Sequence, residues 1–215
     1  MIDKQLHLIL DIRNLSPSVF VLRLERNGFL FEPGQYVFVN LPGDHHVREY
    51  SVYSGIHDPY IELLIKDVSD GFVSKKLRNI NPGDNLEIDG PYGFFTLNEK
   101  FYSTPPLLLV STGTGIAPFH SFVRSQPSLN YRLIHGVRYG NESYRNNFNS
   151  HYVICTSRDN SGDFHGRVTQ YLENNPASID HWCYLSGNYG MIEDVTDILI
   201  KQGIPYEHIL SEVHN

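Results

Sequence analysis

Cysteine is scarce in this chain: Cys155 and Cys183 are the only two among 215 residues. Two thiols exclude a disulfide framework, a four-thiolate zinc site and a four-cysteine iron–sulfur site. Long apolar runs are also missing. The longest wholly aliphatic run, Leu107 to Val110, is far too short to cross a bilayer. The amino-terminal residues include Asp3, Lys4 and His7, so no signal-peptide core is expected there. Basic residues are outnumbered, 17 Lys and Arg against 24 Asp and Glu, for a net charge of −7. Nucleic-acid binding is therefore not expected, because phosphate contacts need clustered basic side chains. Eleven histidines are present, but His45-His46 is the only adjacent pair, and it lacks the helical i, i+4 spacing of metalloproteases. No metal site is expected, and no Gly-x-Ser-x-Gly hydrolase elbow occurs. The expected setting is a reducing cytoplasm.

What is present is a globular composition. Hydrophobic residues make up 40% and aromatic residues 13%, with 17 glycines besides, which excludes a disordered chain. The first half alternates apolar and polar residues with period two. Leu6, Leu8, Leu10 and Ile12 set the rhythm, and Val19–Leu24, Gln35–Leu41, Val47–Tyr53, Tyr60–Ile65 and Leu86–Ile88 follow between turn residues. Such spacing predicts a six-stranded antiparallel barrel, interrupted by one helix over Gly71–Arg78.

The second half changes period. Leu107–Val110 is continuously apolar, as in a strand buried on both faces. Strands at Tyr131–Gly136, Tyr152–Cys155 and Trp182–Leu185 alternate with helices from Ala117, over Glu142–Phe148, after Gly166 and over Met191–Lys201. His208–Leu210 reads as a last short strand. Strand–helix alternation predicts a doubly wound parallel sheet. The boundary falls in the polar stretch Asn98–Pro106, which divides the chain into domains 1–98 and 99–215. The crevice between a barrel and such a sheet is where a ligand is expected.

Five constellations carry chemistry. Arg48-Glu49-Tyr50-Ser51 lies in a barrel strand, where Arg48 and Tyr50 share a face. An Arg fork suits a phosphate, a Tyr ring suits stacking, and Ser51 adds a hydroxyl. Gly71-Phe72-Val73-Ser74 opens the barrel's helix, and a helix start presents free N–H groups to an anion. Gly90-Pro91-Tyr92-Gly93 reads as a turn. Ser111-Thr112-Gly113-Thr114-Gly115-Ile116-Ala117-Pro118 follows an apolar strand directly. Its glycines allow close approach to a pyrophosphate, although Pro118 occupies the last position of the usual dinucleotide fingerprint. Finally, Ser157-Arg158-Asp159 and Arg167 lie on the same sheet edge as the glycine turn. An Arg there can hold the 2′-phosphate that separates NADP from NAD. Each is compatible, taken alone, with an ordinary strand, cap or surface charge.

Read in order, these motifs resemble the ferredoxin–NADP reductase family over nearly the whole chain. Arg48-Glu49-Tyr50-Ser51 is similar to its R-x-Y-S flavin motif. Gly71-Phe72-Val73-Ser74 is similar to the element that clamps the FAD pyrophosphate. Gly113-Thr114-Gly115-Ile116-Ala117-Pro118 matches its nicotinamide-nucleotide motif. Gly136-Val137-Arg138 resembles its G-x-R element, and Ser157-Arg158 with Gly166-Arg167 resembles its NADP-phosphate element. The resemblance implies FAD bound by Arg48, Tyr50, Ser51, Gly71, Val73 and Ser74. It implies NADPH bound by Gly113, Thr114, Gly115, Arg138, Ser157, Arg158 and Arg167. Domain 1–98 is then the FAD barrel and 99–215 the NAD(P) domain. The implied activity is hydride transfer from NADPH to FAD, then electron delivery to ferredoxin or flavodoxin. An oxygenase component or free flavin is the alternative acceptor, and a non-catalytic nucleotide-binding subunit is the alternative class.

The chain departs from the pattern twice. Ser186, in Ser186-Gly187-Asn188-Tyr189-Gly190-Met191, stands where the family usually has Cys, and a hydroxyl is harder and more hydrated than a sulfur. The chain ends Glu212-Val213-His214-Asn215, without an aromatic ring to cover the flavin. Ser51, Ser186 and Glu212 are the residues expected at the transfer site, Glu212 as a proton-relay group. Lys66, Lys75, Lys76 and Arg78 form either a basic docking patch or a solvated helix face.

Overall fold

The computed structural model describes residues 5–68, 71–101, 106–144, 147–148 and 151–214. Asp3, Lys4, Thr104 and Pro105 lie outside these residues. The chain divides into two compact units. The first runs from the amino-terminal strand to Leu97 and takes in Ala117–Ser125; the second comprises Asn98–Ile116 and the chain from Gln126 onward.

The first unit is one six-stranded antiparallel sheet. Its strands are β1 (Gln5–Ser16), β2 (Val19–Glu25), β3 (Tyr36–Asn40), β4 (Arg48–Ser51), β5 (Tyr60–Lys66) and β6 (Asn85–Tyr92). Their order is β4-β3-β6-β1-β2-β5. The two edge strands meet around the back. Val52 bridges Leu63, and the Tyr53 N–H donates to the Glu62 carbonyl at 2.7 Å. The sheet thereby curls into a barrel and protects its edges. Period-two alternation sends Phe20, Leu22 and Leu24 of β2 inward, against Val37, Val39, Leu63 and Ile88. Helix α1 (Phe72–Arg78) caps one side of this core with Val73 and Leu77.

Helix α2 (Ala117–Ser125) belongs to the same unit. Its Phe119 and Phe122 rings each stand 6.1 Å from Phe95. Its Ser121 hydroxyl donates to the Ser54 carbonyl at 2.7 Å. Thus the helix that follows the glycine turn lies in the sequence range 99–215 but packs on the barrel's residues.

The second unit is a six-stranded, all-parallel sheet. Its strands are β7 (Leu107–Thr112), β8 (Tyr131–Val137), β9 (Tyr152–Thr156), β10 (Phe164–His165), β11 (Trp182–Gly187) and β12 (Ile209–Val213), in the order β10-β9-β8-β7-β11-β12. Helices α3 (Val168–Asn174) and α4 (Tyr189–Lys201) cover one face. There Val168, Leu172, Val195 and Leu199 pack on Leu108, Val110, Ile134 and Leu185. Both thiols sit in this core, and burial pushes each up to about 12.

One expected element is corrected. The helix over Glu142–Phe148 is not formed by the described residues of that stretch. Gly140–Glu142 is a short 3-10 turn, and Ser143 and Tyr144 follow without helical structure. Residues 145 and 146 lie outside the described set. Gly140 and the repeated asparagines here favour turns, because short amide side chains compete with the backbone ladder. Strand β10, two residues long, is too short to show a period in the sequence.

Gly34 illustrates how tightly the barrel is closed. Its φ is +97°, and a Cβ there would meet the Phe95 carbonyl and lie 2.7 Å from Phe122 Cε1. Gly34→Ala is expected to destabilise the protein by about 1–3 kcal/mol, from strain and overpacking together. Urea denaturation of the variant against the parent chain measures this; an unchanged midpoint would contradict the packing described.

Candidate functional site

In the first unit, Arg48, Tyr50 and Ser51 occupy edge strand β4, paired only with β3 on that side. Arg48 is exposed and Tyr50 is half-buried, its hydroxyl pushed up to about 12 by burial. Ser51 points to the other face and is buried, and its Oγ has no hydrogen-bond partner. A buried hydroxyl without a partner is costly unless a bound group completes it.

Helix α1 starts at Gly71, which offers no side-chain cap. No acidic residue occupies its first turn. A Cβ on Gly71 would collide with Ser74 Oγ, so a larger residue here would have to displace that hydroxyl. The Val68 N–H donates to Ser74 Oγ at 3.3 Å, which leaves the Ser74 proton to be donated. Val73 is 3% exposed and packs in the core, so its side chain cannot contact a ligand. Only its backbone N–H is available for the role expected of it. This donor set and the exposed Arg48 fork fit a phosphate group.

Lys76 is not a free surface cation. Its Nζ lies 2.5 Å from Asp44 Oδ2 and 4.0 Å from the Phe72 ring centroid. His46 completes the clasp, bonding Asp44 Oδ1 at 2.8 Å and packing on Phe72. Lys76 and these bonds hold Asp44 well below the usual carboxylate range. The clasp ties the loop before Arg48 to helix α1. Arg78 is likewise engaged, with Asn14 and the Phe20 ring. The expected basic patch therefore shrinks to Lys66 and Lys75, which are exposed.

In the second unit, the turn Gly113–Ile116 leaves the carboxyl end of β7 as a short 3-10 helix. Gly113 has φ +55°, and Thr114 is half-exposed. A Cβ on Gly115 would lie 2.6 Å from the Ser186 carbonyl oxygen, so the turn rests directly on β11. Asn188 secures the neighbouring turn: its Oδ1 accepts from Met191 N–H at 3.0 Å and its Nδ2 donates to Thr112 Oγ1 at 3.2 Å.

Register places one polar row across this sheet. Glu212 pairs with Ser186, Ser186 with Ser111, and Ser111 with His135. Partners in a parallel ladder share a face. Ser186 and Ser111 are fully buried, and neither hydroxyl has a partner. Glu212 Oε2 lies 3.2 Å from His214 Nε2, but the two atoms form no hydrogen bond. Cys183 is on the opposite face, in the apolar core. Ser111 and His135 were not among the expected site residues. Their signal was present as polar residues inside apolar strands, but only the register brings them together.

Arg138, Ser157, Arg158 and Arg167 are all exposed. The Arg158 N–H donates to the Arg138 carbonyl at 2.9 Å, so these two residues lie side by side at the carboxyl ends of β8 and β9. Among the described residues none of the three guanidiniums forms an ion pair. Asp159 does not neutralise Arg158. It accepts from the Gly140 N–H at 3.0 Å, and that bond holds its carboxyl below the ordinary value. Among the described residues, no three His, Cys, Asp or Glu side chains gather as a metal site, and no helix is long and apolar enough to cross a membrane.

Among the described residues three histidines are buried, His7 and His120 in the first unit and His135 in the second. His120 stacks on Tyr53 at 3.7 Å and its Nδ1 donates to the Tyr53 carbonyl at 2.6 Å. Burial pushes His120 and His135 down to about 4. Both are neutral in the fold and gain protons in the unfolded chain below about 6.5. Stability is therefore fully present above about pH 6.5 and falls as pH drops towards 4, at about 1.4 kcal/mol per pH unit for each histidine. Urea midpoints across that range test this. A flat profile would show that the histidines are not held neutral.

Residues 9–97 match the oxidoreductase FAD-binding domain family. The toluate 1,2-dioxygenase electron transfer component of Pseudomonas putida is 32% identical over 91% of this chain and 63% of its own length. Ferredoxin–NADP reductase B of Sorangium cellulosum is 38% identical over 54% of this chain and 50% of its own. The chain thus spans less than two thirds of these relatives. A ferredoxin NADP+ reductase from Neisseria gonorrhoeae, solved with bound FAD and NADP, superposes with a TM-score of 0.88 at 24% identity, covering 98% of each chain. With the barrel, the parallel sheet and the glycine turn in the expected order, the chain has the fold of that reductase, and its first unit matches the oxidoreductase FAD-binding domain family.

Proposed function

We propose that this chain is a flavoprotein oxidoreductase that takes hydride from NADPH into FAD and passes electrons to a separate acceptor protein. The observation that carries this reading is the glycine turn at the carboxyl end of β7, seated on Ser186 beside two buried, unpartnered hydroxyls. A strand end of a parallel sheet is where such nucleotides bind.

Bound FAD would supply the hydride-accepting and electron-releasing chemistry. The protein supplies orientation and charge. Arg48, the Gly71–Val73 backbone and Ser74 would hold the FAD pyrophosphate, and Tyr50 would offer its ring. Ser51, with its unsatisfied Oγ, would hydrogen-bond the cofactor. Gly113, Thr114 and Gly115 would receive the NADPH pyrophosphate, while Arg138, Ser157, Arg158 and Arg167 would hold the 2′-phosphate end. Ser186 and Glu212 would lie near the transferred hydride.

The acceptor is read as ferredoxin or flavodoxin, met by the exposed Lys66 and Lys75. The toluate relative's name supports a second reading, an oxygenase component as acceptor. The cytoplasm is the proposed location, consistent with two buried thiols.

Anaerobic titration of the FAD-loaded protein with NADPH and NADH tests the activity. Fast flavin bleaching by NADPH and little by NADH is expected. Arg158→Ala should cut the preference for NADPH by about 10- to 100-fold, the value of one charge-assisted hydrogen bond. Absence of bleaching by either nucleotide, with FAD bound, would shift the reading to a non-catalytic binding subunit. In stopped flow, Ser186→Cys should reduce flavin faster than the parent chain, because a polarizable sulfur sheds water more readily than a hydroxyl. An equal or slower rate would count against the place given to Ser186.

A further inference from the structure

His135 is the one member of the polar row whose ring is fully engaged. Its Nε2 lies 2.8 Å from the Gly113 carbonyl oxygen and its Nδ1 lies 2.6 Å from the Tyr152 hydroxyl. A carbonyl has no proton to give, so Nε2 carries the hydrogen. The ring is neutral, held so by complete burial, and Nδ1 is therefore an acceptor. The Tyr152 O–H must donate to it. The Tyr152 oxygen in turn accepts from the Tyr144 N–H at 3.4 Å. The result is a one-way chain: Tyr144 N–H to Tyr152 O–H, to His135, to the Gly113 carbonyl.

That chain fixes a peptide's polarity. In a trans peptide the C=O and the next N–H point in opposite directions. The carbonyl of Gly113 is drawn inward to His135, so the Thr114 N–H points away from it. Thr114 is half-exposed, and its amide lies in the first turn of a 3-10 helix, where no partner exists within the turn. Glycine at 113, with φ +55°, has the freedom to adopt the flipped peptide as well. The flipped form would present a carbonyl oxygen to an incoming anion, and two negative dipole ends repel.

We infer that His135 is a positioning residue for the nucleotide pyrophosphate: through Tyr152 it locks the Gly113–Thr114 peptide so that an N–H, and not a carbonyl, faces the ligand. The inference rests on the proposed function, since it names the pyrophosphate as the group received at this turn. It adds a residue outside every motif that suggested the site. The restraint acts on the loop and not on the reacting atoms.

The test compares two probes by calorimetry on the FAD-loaded protein. NADP+ carries a pyrophosphate; adenosine 2′-monophosphate carries only the phosphate assigned to the arginines. His135→Leu should weaken NADP+ by about three- to tenfold, the loss of one neutral hydrogen bond. Adenosine 2′-monophosphate should bind as before. His135→Gln, whose amide can still donate to Gly113, should recover most of the loss. Tyr152→Phe keeps the imidazole in place and should give a smaller loss in the same direction, so it serves if His135→Leu fails to fold. Nitrogen NMR of the parent chain should show His135 protonated at Nε2 and bare at Nδ1. Equal loss of both probes, unchanged NADP+ binding in His135→Leu and Tyr152→Phe, or the opposite tautomer would each overturn the inference. If the parent chain binds neither probe, the functional reading itself fails.

Discussion

The second unit depends on the contact of one backbone with another. Gly115 rests on the Ser186 carbonyl with no side chain between them. That approach brings the turn down onto the sheet edge, where strand carbonyls end and helices begin. Gly187, whose own Cβ would strike Thr112, repeats the requirement from the other side. A side chain at Gly115 would have to displace the backbone of β11, while one at Gly187, with φ +156°, would crowd the Thr112 and Met191 side chains in a conformation that favours glycine. Everything the turn presents to a ligand, including the direction of its amides, follows from this seating.

A sheet buried on both faces normally excludes polar side chains. This one admits a row of them, close to the ends of its strands. Their buried oxygens carry a desolvation cost of about 1–3 kcal/mol each when unpartnered. His135 escapes that cost by using both ring nitrogens, whereas Ser111 and Ser186 do not. The satisfied member braces the loop, and the unsatisfied members are the ones with capacity left for a ligand. In the barrel, Ser51 stands in the same condition on β4, while Ser74 is half-committed to its own loop. Unused hydrogen-bonding capacity is thus found at the candidate sites of both units, as it is also at His7, Ser16, Asp67 and His208.

Charge behaves differently from what composition suggests. The basic residues around α1 look alike in sequence, yet Lys76 and Arg78 are spent on Asp44 and Asn14. On the second sheet the reverse holds: Asp159, adjacent to Arg158, turns to the Gly140 amide and leaves the guanidinium uncompensated. Which cations face solvent is decided by hydrogen bonds to loops distant in sequence.

The sequence by itself determined the periods, and hence the two kinds of sheet. The unbroken Leu107–Val110 marks a strand buried on both faces, whereas in β1 the leucine alternation does not mark the buried face: His7 and Ile9 are buried and Leu6 and Leu10 are exposed. It also determined the motif order and the glycine turn, because a strand-to-helix turn that approaches phosphate needs residues without Cβ. Tertiary structure decided what local pattern cannot carry. Among the described residues of Glu142–Phe148 the expected helix gave way to turns, and Val73 went to the core and left only its backbone for a ligand. Register across β12, β11, β7 and β8 aligned Glu212, Ser186, Ser111 and His135, although 75 residues separate Ser186 from Ser111 in sequence and only roughly five ångströms separate paired strands in space. A strand's own sequence states which of its residues share a face; it holds no record of which strand will lie beside it, because that choice is made by packing.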